Sequence, residues 1–362
     1  MGENKTMNRR YFQAEALTDF AAQVFTRAGL PPADAEQVGR SLVGADLRGV
    51  DSHGVTRIPI YVERLRRDLV NKRPNIRIDV KGAGVAVVDG DNGMGAVVGR
   101  RAMEAAISLA QEAGTGAVAV RGSNHFGTGA GYAYQAVEAR CIGIACSSAP
   151  PTMAPWGGRA RYFGTNPLAV GIPAGRYPPI VLDMATSNVA RGKIILAAKR
   201  GETIPEGWAL DPEGRPTTDA EAALAGAVLP FGGPKGSAIA LIIDVLSGVL
   251  SGANFGRHIP DLYDNLAERQ DLGHFFLAVE IERFMRYDTF TARVDQMIEG
   301  LKACPPAAGH AEVLLPGEIE ARTEVERQRR GIPVSGEIVD HLVAVGKDLG
   351  VAFPEGSPGP LQ

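Results

Sequence analysis

The stretch VAVVDGDNGMGAVVGRRAMEAAISLAQEAGTGAVAVRG, residues 85–122, decides the fold class. It opens with a short valine-rich run, continues with apolar residues three or four positions apart, and ends in a second valine-rich run. These patterns predict a strand, an amphipathic helix and another strand. The sequence therefore predicts an α/β fold with a mixed α/β core.

The alternation of strand and helix patterns continues towards the C-terminus. AGYAYQAVEAR predicts a helix at 130–140, and three apolar runs predict strands at 142–148, 168–174 and 179–186. SAIALIIDVLSGVLSGA, residues 237–253, is apolar but is interrupted by Asp244 and two Ser-Gly pairs. It is too short and too interrupted to span a bilayer, so it predicts a buried helix.

Both ends of the chain have helical patterns. Apolar residues recur at helical spacing in 11–46 and 57–70, and charged helical patterns return in 317–350. We therefore predict a helical domain made of residues 1–75 plus 315–355. We predict that residues 76–314 form a core that binds cofactor and substrate. Residues 356–362, rich in Pro and Gly, are predicted to fray.

The glycines at 90, 93, 95 and 99 imitate a dinucleotide-binding loop, since they follow a predicted strand and open a predicted helix. Their spacing is not G-x-G-x-x-G, and the next strand ends in Arg121 instead of an acidic residue that would hold a ribose. These departures favour a glycine-rich corner over a Rossmann site.

Composition limits the classes of partner. The net charge is −3 and the basic residues are scattered, so we expect no nucleic-acid partner. The polar N-terminus MGENKTMNRRYF has no apolar signal core, and the three cysteines lack metal-ligand spacing. MGENKT fits the loose myristoylation pattern, but nothing else indicates a membrane anchor. We expect a cytoplasmic protein with reduced thiols and no membrane partner.

The segment GVDSHGVTR, residues 49–57, places His53 in a connection between two predicted helices, with Arg48 and Arg57 on either side. A packed core has no obvious use for such groups, whereas a few local arginines suffice to bind a small anion. The alternatives are a loop histidine that bonds a backbone carbonyl and arginines that form surface ion pairs. Ser52 could contact a substrate or cap the following helix.

His125 follows a predicted strand, at a position where sheet enzymes place chemistry. Asp183 ends another strand and could orient an imidazole, bind cofactor or cap a helix. Lys235, in a glycine loop before the apolar helix, suits a phosphate. No pair of candidates has helical metal-ligand spacing such as H-x-x-x-H, so we predict no metal.

Eight stretches taken together resemble the malate/L-lactate dehydrogenase family, a group of non-Rossmann enzymes. This family includes sulfolactate, ureidoglycolate and diketogulonate dehydrogenases and cyclic imino-acid reductases. The matching stretches are GVDSHGVTRIPIY (49–61), SNHFGTGAGYA (123–133), APWGG (154–158), GTNPLAVGIP (164–173), VLDMATS (181–187), LPFGGPKGSAIALIIDVLSGVLSGA (229–253), GHFFLAVEIERF (273–284) and LPGEIE (315–320).

The resemblance implies an NAD(P)-dependent oxidoreductase on a mixed sheet with a non-Rossmann cofactor domain, assembled as a homodimer. Its reaction would transfer a hydride between nicotinamide and a small carboxylate substrate, a 2-oxo or 2-hydroxy acid such as malate, lactate or sulfolactate. The alternatives within the family are a cyclic imino acid and ureidoglycolate. Neither the substrate nor the choice of NAD or NADP follows from the residues.

The resemblance also implies roles for residues. His53 matches the proton donor, with His125 as the rival donor and Asp183 as a third catalytic candidate. Arg48, Ser52 and Arg57 are the candidates for substrate binding. The candidates for cofactor binding are Asn124, His125, Thr165, Asn166, Leu182, Asp183, Met184, Ala185, Thr186, Ser187, Asn188, Pro234, Lys235, Gly317, Glu318 and Ile319.

Two other classes remain open at this point. A metal-dependent hydrolase could use Asp51, His53, His125 and Asp183, and a non-catalytic dimeric protein could bind a ligand with the same residues. The lack of metal-ligand spacing disfavours the first class. The number of chemistry-bearing residues disfavours the second.

Overall fold

A computed structural model describes residues 9–361 of the chain. The predicted myristoylation pattern and most of the N-terminal segment lie outside these residues. Eleven helices are present in the described part: α1 (Ala14–Arg27), α2 (Pro32–Leu47), α3 (Ile58–Arg66), α4 (Gly95–Ala113), α5 (Ala130–Glu138), α6 (Arg191–Lys199), α7 (Ala220–Ala225), α8 (Pro234–Asp244), α9 (Tyr287–Lys302), α10 (Glu318–Arg330) and α11 (Gly336–Leu349).

Twelve strands form three sheets in residues 9–361. They are β1 (Arg9–Phe12), β2 (Arg77–Gly82), β3 (Val85–Asp89), β4 (Thr115–Ser123), β5 (Cys141–Ser147), β6 (Leu168–Ile172), β7 (Ile180–Met184), β8 (Ala209–Leu210), β9 (Pro216–Thr217), β10 (Ala227–Val228), β11 (Leu272–Glu280) and β12 (Ile332–Ser335). The main sheet has the order β2-β3-β4-β11-β5-β6-β7, and only β3 and β4 run parallel.

The unit β3-α4-β4 corresponds to the stretch quoted first, and the sequence predicts its elements correctly. One face of α4 buries Val98, Ala102 and Met103 against the sheet. Gly116 permits this packing, because a Cβ there would lie 2.0 Å from the carbonyl oxygen of Ala106. The helix ends at Gly114, whose φ of 89° is left-handed, as is common at helix C-termini.

The fold class is the predicted α/β fold with a mixed, non-Rossmann sheet. Antiparallel β11 lies between β4 and β5, so the parallel run that a Rossmann fold requires does not form. The glycine corner between β3 and α4 is tightly packed. A Cβ on Gly95 would lie 2.2 Å from the carbonyl oxygen of Asn124. The corner therefore packs against the segment that carries His125.

Both chain ends contribute to one hydrophobic cluster. Phe20 and Leu42 of the first helices pack in it with Ile332 and Leu342 from the C-terminal segment. Strand β1 pairs antiparallel with β12. Residues 356–362, for which we predicted fraying, include Ser357, which bonds Tyr11, and Leu361, which donates to the carbonyl of Arg330.

The stretch 237–253 departs from its prediction. Helix α8 starts earlier, at Pro234, and continues as a π-helical turn over Val245–Val249. The prediction of a buried helix is wrong for one face of α8 and the π-helical turn. Its apolar side chains Leu241, Ile242, Val245, Val249 and Leu250 are 45–59% exposed.

No helix among residues 9–361 combines the length and the apolar character needed to cross a bilayer.

Candidate active site

The structure brings together two imidazoles that are far apart in sequence. His53 ends the 3-10 turn Asp51–His53 between α2 and α3, and His125 lies just beyond the end of β4. Their rings stack with centroids 5.4 Å apart and an interplanar angle of 28°. Both residues are half-buried, so the pair is partly accessible from solvent.

Hydrogen bonds fix the tautomer of His125. Its Nδ1 lies 2.6 Å from the hydroxyl of Tyr61 and 3.4 Å from the backbone N–H of Gly127. A backbone N–H can only donate, so Nδ1 accepts and the proton of the neutral ring lies on Nε2. Burial, aided by the charge of Arg57, lowers the pKa of His125 well below its usual range. His125 is therefore a neutral donor at Nε2.

His53 has a different setting. Its Nδ1 lies 3.0 Å from the hydroxyl of Ser52, which can either donate to the ring or accept from it. Burial and, second, the positive charge of Arg57 lower the pKa of His53 to about 4. At neutral pH the ring is uncharged, and the serine hydroxyl can support either of its protonation states.

Arg57 lies beside His53. Its Nε donates to the carbonyl of Ser52 at 2.7 Å, and its Nη1 donates to the hydroxyl of Tyr263. The guanidinium also lies over the Tyr263 ring, 5.3 Å from its centroid. The surface ion pair considered as an alternative for Arg57 is not among the ion pairs of the described residues, which leaves its charge available to an anion.

Arg48 is the buried member of the predicted arginine pair. It follows the last residue of α2, is 9% exposed and stacks its guanidinium on Tyr134, with 4.6 Å between Cζ and the ring centroid. Its Nη1 is buried and has no hydrogen-bond partner among residues 9–361. A buried guanidinium nitrogen of this kind is costly unless an acceptor reaches it, so the position suits an anionic ligand.

Asp183 faces the same region from β7. Its carboxylate accepts the backbone N–H of Ala130 at 2.9 Å, so it caps the start of α5. Burial raises its pKa to about 6, whereas the N–H of Ala130 and the charge of Arg48 oppose the rise. The residue as a whole keeps more than a third of its surface exposed, so solvent in the cleft limits this shift. Capping was one of the alternatives that the sequence left open.

Backbone bonds join the predicted cofactor segments around β7. Thr186 donates its N–H to Thr165 at 2.8 Å, Phe231 donates to Thr186 at 3.0 Å, and Asn188 donates to Leu229 at 2.9 Å. At the other end of the strand, Val181 donates to Pro316 at 3.2 Å. The stretches 165–166, 182–188, 229–235 and 315–319 therefore form one continuous surface.

On this surface, several predicted side chains are accessible and others are not. Asn188, Pro234, Lys235 and Ile319 are exposed, and Thr165, Leu182, Met184, Ala185 and Gly317 are partly exposed. Gly317, with φ of 82°, packs on β7, since a Cβ there would lie 2.6 Å from the Val181 carbonyl oxygen. These positions can contact a ligand that lies along β7.

Five of the residues predicted to bind cofactor have side chains that form hydrogen bonds within the protein. Asn166 is fully buried and bonds the backbone of Ala149 and Ala240. Internal partners likewise engage the side chains of Asn124, Thr186, Ser187 and Glu318. Asn124 donates to the carbonyl of Gly93 at 2.9 Å, so its amide supports the glycine corner and not the His125 ring. Hydrogen bonds of these side chains help to maintain the fold of the site, and the side-chain oxygen of Asn124 is buried without a partner in residues 9–361.

Sequence reasoning missed three tyrosines of the site and one histidine. Tyr61 lies within the helical pattern of 57–70, where its spacing suits an apolar position, and no pattern singles out Tyr134 or Tyr263. His274 lies fully buried on β11, with Nδ1 2.8 Å from Ser147 Oγ and Nε2 2.8 Å from Ser123 Oγ. A histidine within an apolar strand pattern is the signal that could have identified it.

The described residues were also compared with two other kinds of site, a metal site and a surface groove. Residues 9–361 contain no group of three or more His, Cys, Asp or Glu side chains that could hold a metal ion. A groove of about 760 Å³ between α1 and α2, which includes Glu15, Glu36 and Arg40, contains none of the predicted site residues.

Comparisons with known proteins match nearly the whole chain. The sequence model of the family described as malate/L-lactate dehydrogenase matches residues 12–343. L-sulfolactate dehydrogenase of Methanocaldococcus jannaschii is 40% identical over 328 residues, which cover 91% of this chain and 94% of that protein. The solved structure of the sulfolactate dehydrogenase from this organism superposes with a TM-score of 0.89, covering 95% of this chain and 98% of the other at 39% identity.

Two further relatives differ in their named reactions. The (2R)-3-sulfolactate dehydrogenase (NADP(+)) of Chromohalobacter salexigens is 38% identical over 341 residues, or 93% of this chain and 98% of that protein. The solved Δ1-piperideine-2-carboxylate reductase of Pseudomonas syringae has a TM-score of 0.84 at 28% identity, covering 93% of this chain and 99% of the other. The shared architecture therefore carries reactions at both C–O and C–N bonds.

Proposed function

The chain belongs to the malate/L-lactate dehydrogenase family, and we propose that it interconverts a small 2-oxo acid and its 2-hydroxy acid. It is an NAD(P)-dependent dehydrogenase, in keeping with its relatives. The observation that carries the proposed chemistry is the stacked His53–His125 pair with Arg57 beside it, and Arg48 adds a buried nitrogen without a hydrogen-bond partner in residues 9–361.

The residues around β7 fit a nicotinamide dinucleotide. They form an extended, continuous surface made of residues 165–166, 182–188, 229–235 and 315–319. Lys235, at the start of α8, suits a phosphate. Thr165, Leu182 and Met184 are partly exposed positions on this surface. Reduced NAD or NADP, when bound, supplies the hydride.

His53 is the proposed proton carrier. When its Nδ1–H donates to Ser52, its Nε2 lone pair is free to take a proton from a substrate hydroxyl. The protonated ring can return that proton to the oxygen in the reductive direction. A substrate carboxylate beside Arg57 would offset one cause of the low pKa of His53 and so favour the protonated ring.

His125 has the complementary role in this proposal. Its Nδ1 is occupied by Tyr61 and Gly127, so only Nε2–H can face the reacting oxygen. A neutral imidazole donor stabilises negative charge that develops there without giving up its proton. His125 remains the rival proton carrier, and the pH dependence of the two variants separates the roles.

The substrate carboxylate is proposed to bind between Arg48 and Arg57. Arginine suits this task because its planar fork matches a carboxylate and its charge persists when buried. The orphaned nitrogen of Arg48 supplies a donor, and Ser52 lies beside Arg57. Asp183, which caps α5, is assigned to orienting the neighbourhood of Arg48 and not to proton transfer.

A substrate panel tests the proposed function. Oxaloacetate, pyruvate, sulfopyruvate and Δ1-piperideine-2-carboxylate are each offered with NADH and with NADPH, and absorbance of the reduced nicotinamide is followed. We expect turnover with a 2-oxo acid. Turnover with the cyclic imine alone would assign the reductase alternative, which the Pseudomonas syringae neighbour favours. No turnover with any pair would contradict the proposal.

We also propose that the protein is a homodimer. The exposed apolar face of α8 and its π-helical turn is too large a cluster for a surface that faces water alone. A second copy of the chain would bury it and explain why the sequence pattern predicts a buried helix.

A further inference from the structure

Asp46 is a buried carboxyl that the proposed chemistry does not use. It lies in the last turn of α2 and is 3% exposed. One of its oxygens accepts the backbone N–H of Val55 at 2.8 Å, two residues beyond His53. Burial raises its pKa to about 8, with Asp51 adding to the rise and Val55 and Arg327 opposing it. Burial of a carboxyl group costs free energy, so its presence at this position needs an explanation.

Gly54 shows how closely the carboxyl group meets the turn. A Cβ at position 54 would lie 1.8 Å from Asp46 Oδ1 and 2.3 Å from Oδ2. The φ of Gly54 is −88°, outside the left-handed region. The three atoms nearest to a Cβ at this position all belong to the Asp46 carboxyl group, which occupies the space that a side chain would need.

Arg327 of α10 holds the other side of the same turn. Its guanidinium donates to the carbonyl of Asp46 and to the carboxylate of Asp51, the first residue of the 3-10 turn. The His53 turn is therefore held at Asp51 from α10 and at Val55 from α2. His53 lies between these two points.

We propose that Asp46 is the positioning residue for His53: its carboxyl group, seated against Gly54 and bonded to Val55, holds the imidazole in its stack with His125. This inference deepens the proposed function and rests on it for its catalytic consequence. Asp46 touches neither ring, so it acts only through the backbone of the turn.

Two substitutions of Asp46 test the hydrogen bond. Asp46→Asn keeps an oxygen for Val55, and we expect kcat for oxaloacetate reduction to stay within about fivefold of the wild type. Asp46→Ala removes the acceptor, and we expect kcat to fall by about 30-fold or more, since small displacements of a reacting group are costly. The dissociation constants of NADH and NADPH, followed by nicotinamide fluorescence, should change less than about twofold for both variants. Glu36→Ala, an exposed position on the same helix, is the matched control.

A double-mutant cycle tests the contact with Gly54. Gly54→Ala places a methyl group on the carboxyl group of Asp46 and should lower kcat. Combining it with Asp46→Ala removes the obstacle, so the double variant should be at least about fivefold more active than the product of the single effects predicts. Additive effects would overturn the proposed contact.

The imidazole itself provides a readout that needs no turnover. In protein labelled with 15N-histidine, His53 is assigned by its loss in His53→Gln. We expect Asp46→Ala, but not Glu36→Ala, to shift the His53 nitrogen resonances and their titration. Unchanged His53 resonances in folded Asp46→Ala would overturn the positioning role even if the protein were less stable. If the resonances move but His53→Gln keeps full turnover, the positioning stands and the proposed function of His53 fails.

Discussion

His53 and His125 have the same side chain in two different hydrogen-bonding environments. Nδ1 of His125 accepts bonds from Tyr61 and Gly127, whereas Nδ1 of His53 meets a serine hydroxyl that can reverse its role. Proton transfer requires a ring that can exist in both protonation states. The residue-level geometry therefore favours His53 as the proton carrier.

Substitution of each histidine distinguishes the two roles. We expect His53→Gln to lower kcat by about a hundredfold or more, the scale of losing a general acid, with dinucleotide affinity largely kept. His125→Gln should also lower kcat but should leave the pH profile of the wild type in place. Steady-state kinetics with His341→Gln, an exposed histidine on α11, provides the control. Loss of dinucleotide binding with unchanged turnover in His53→Gln would remove His53 from proton transfer.

The lowered pKa of His53 sets the direction of the pH dependence. The ring is neutral above its pKa of about 4, and the neutral ring is the base for oxidation of a hydroxy acid. We expect kcat/KM for oxidation to rise as pH increases through this pKa and then to level off. For reduction the protonated ring is needed, so kcat/KM should fall as pH rises above it. Rate profiles in both directions check the prediction, and a reductive rate that rises with pH would contradict it.

For single residues, the sequence identifies the charged and imidazole groups of the site but not their hydrogen-bond partners. His53, His125, Arg48 and Arg57 stand out because their side chains fit poorly in a core or a plain loop. Tyr61, in α3, reaches His125 only through the tertiary fold. Its hydroxyl has no signature in a helix whose spacing calls for an apolar residue at that position.

Among the elements, β11 connects β4, whose end precedes His125, with β5. It pairs antiparallel with both β4 and β5, so His274 can bond Ser123 on one neighbour and Ser147 on the other. The pattern of apolar runs predicts most strands of the main sheet, including β3 to β7. It does not predict their order, because the insertion of β11 depends on pairing between segments far apart in the chain.

Arg64 of α3 holds the loop that brings Tyr263 to Arg57. It is 1% exposed and donates to the carbonyls of Asn265 at 2.9 Å and Glu268 at 3.1 Å. We expect Arg64→Met to lower the free energy of unfolding by about 3 kcal/mol, since the loop carbonyls lose the hydrogen bonds of a buried guanidinium. Urea unfolding measures this change. Arg66→Met, at an exposed ion pair on the same helix, should cost less than about 1 kcal/mol, and an equal effect of both would contradict the assigned role.

At the scale of the whole molecule, the exposed apolar face of α8 predicts that two copies of the chain form a dimer. We expect the wild type to sediment as a dimer and Leu241→Glu/Val249→Glu to sediment as a monomer, because two charges in the interface would lose their hydration. Val80→Glu, on the exposed strand β2, is the matched control and should remain dimeric. Sedimentation velocity distinguishes these states, and a double variant that stays dimeric would place the interface elsewhere.

The pairing of both chain ends in one hydrophobic cluster also affects how the protein is made. The helices that flank His53 leave the ribosome well before Ile332 and Leu342, which complete their core. During translation these early helices lack their packing partners and expose apolar surface, a situation in which nascent chains depend on chaperones. The turn that carries His53 therefore reaches its final shape only after the segment with Ile332 and Leu342 has been released.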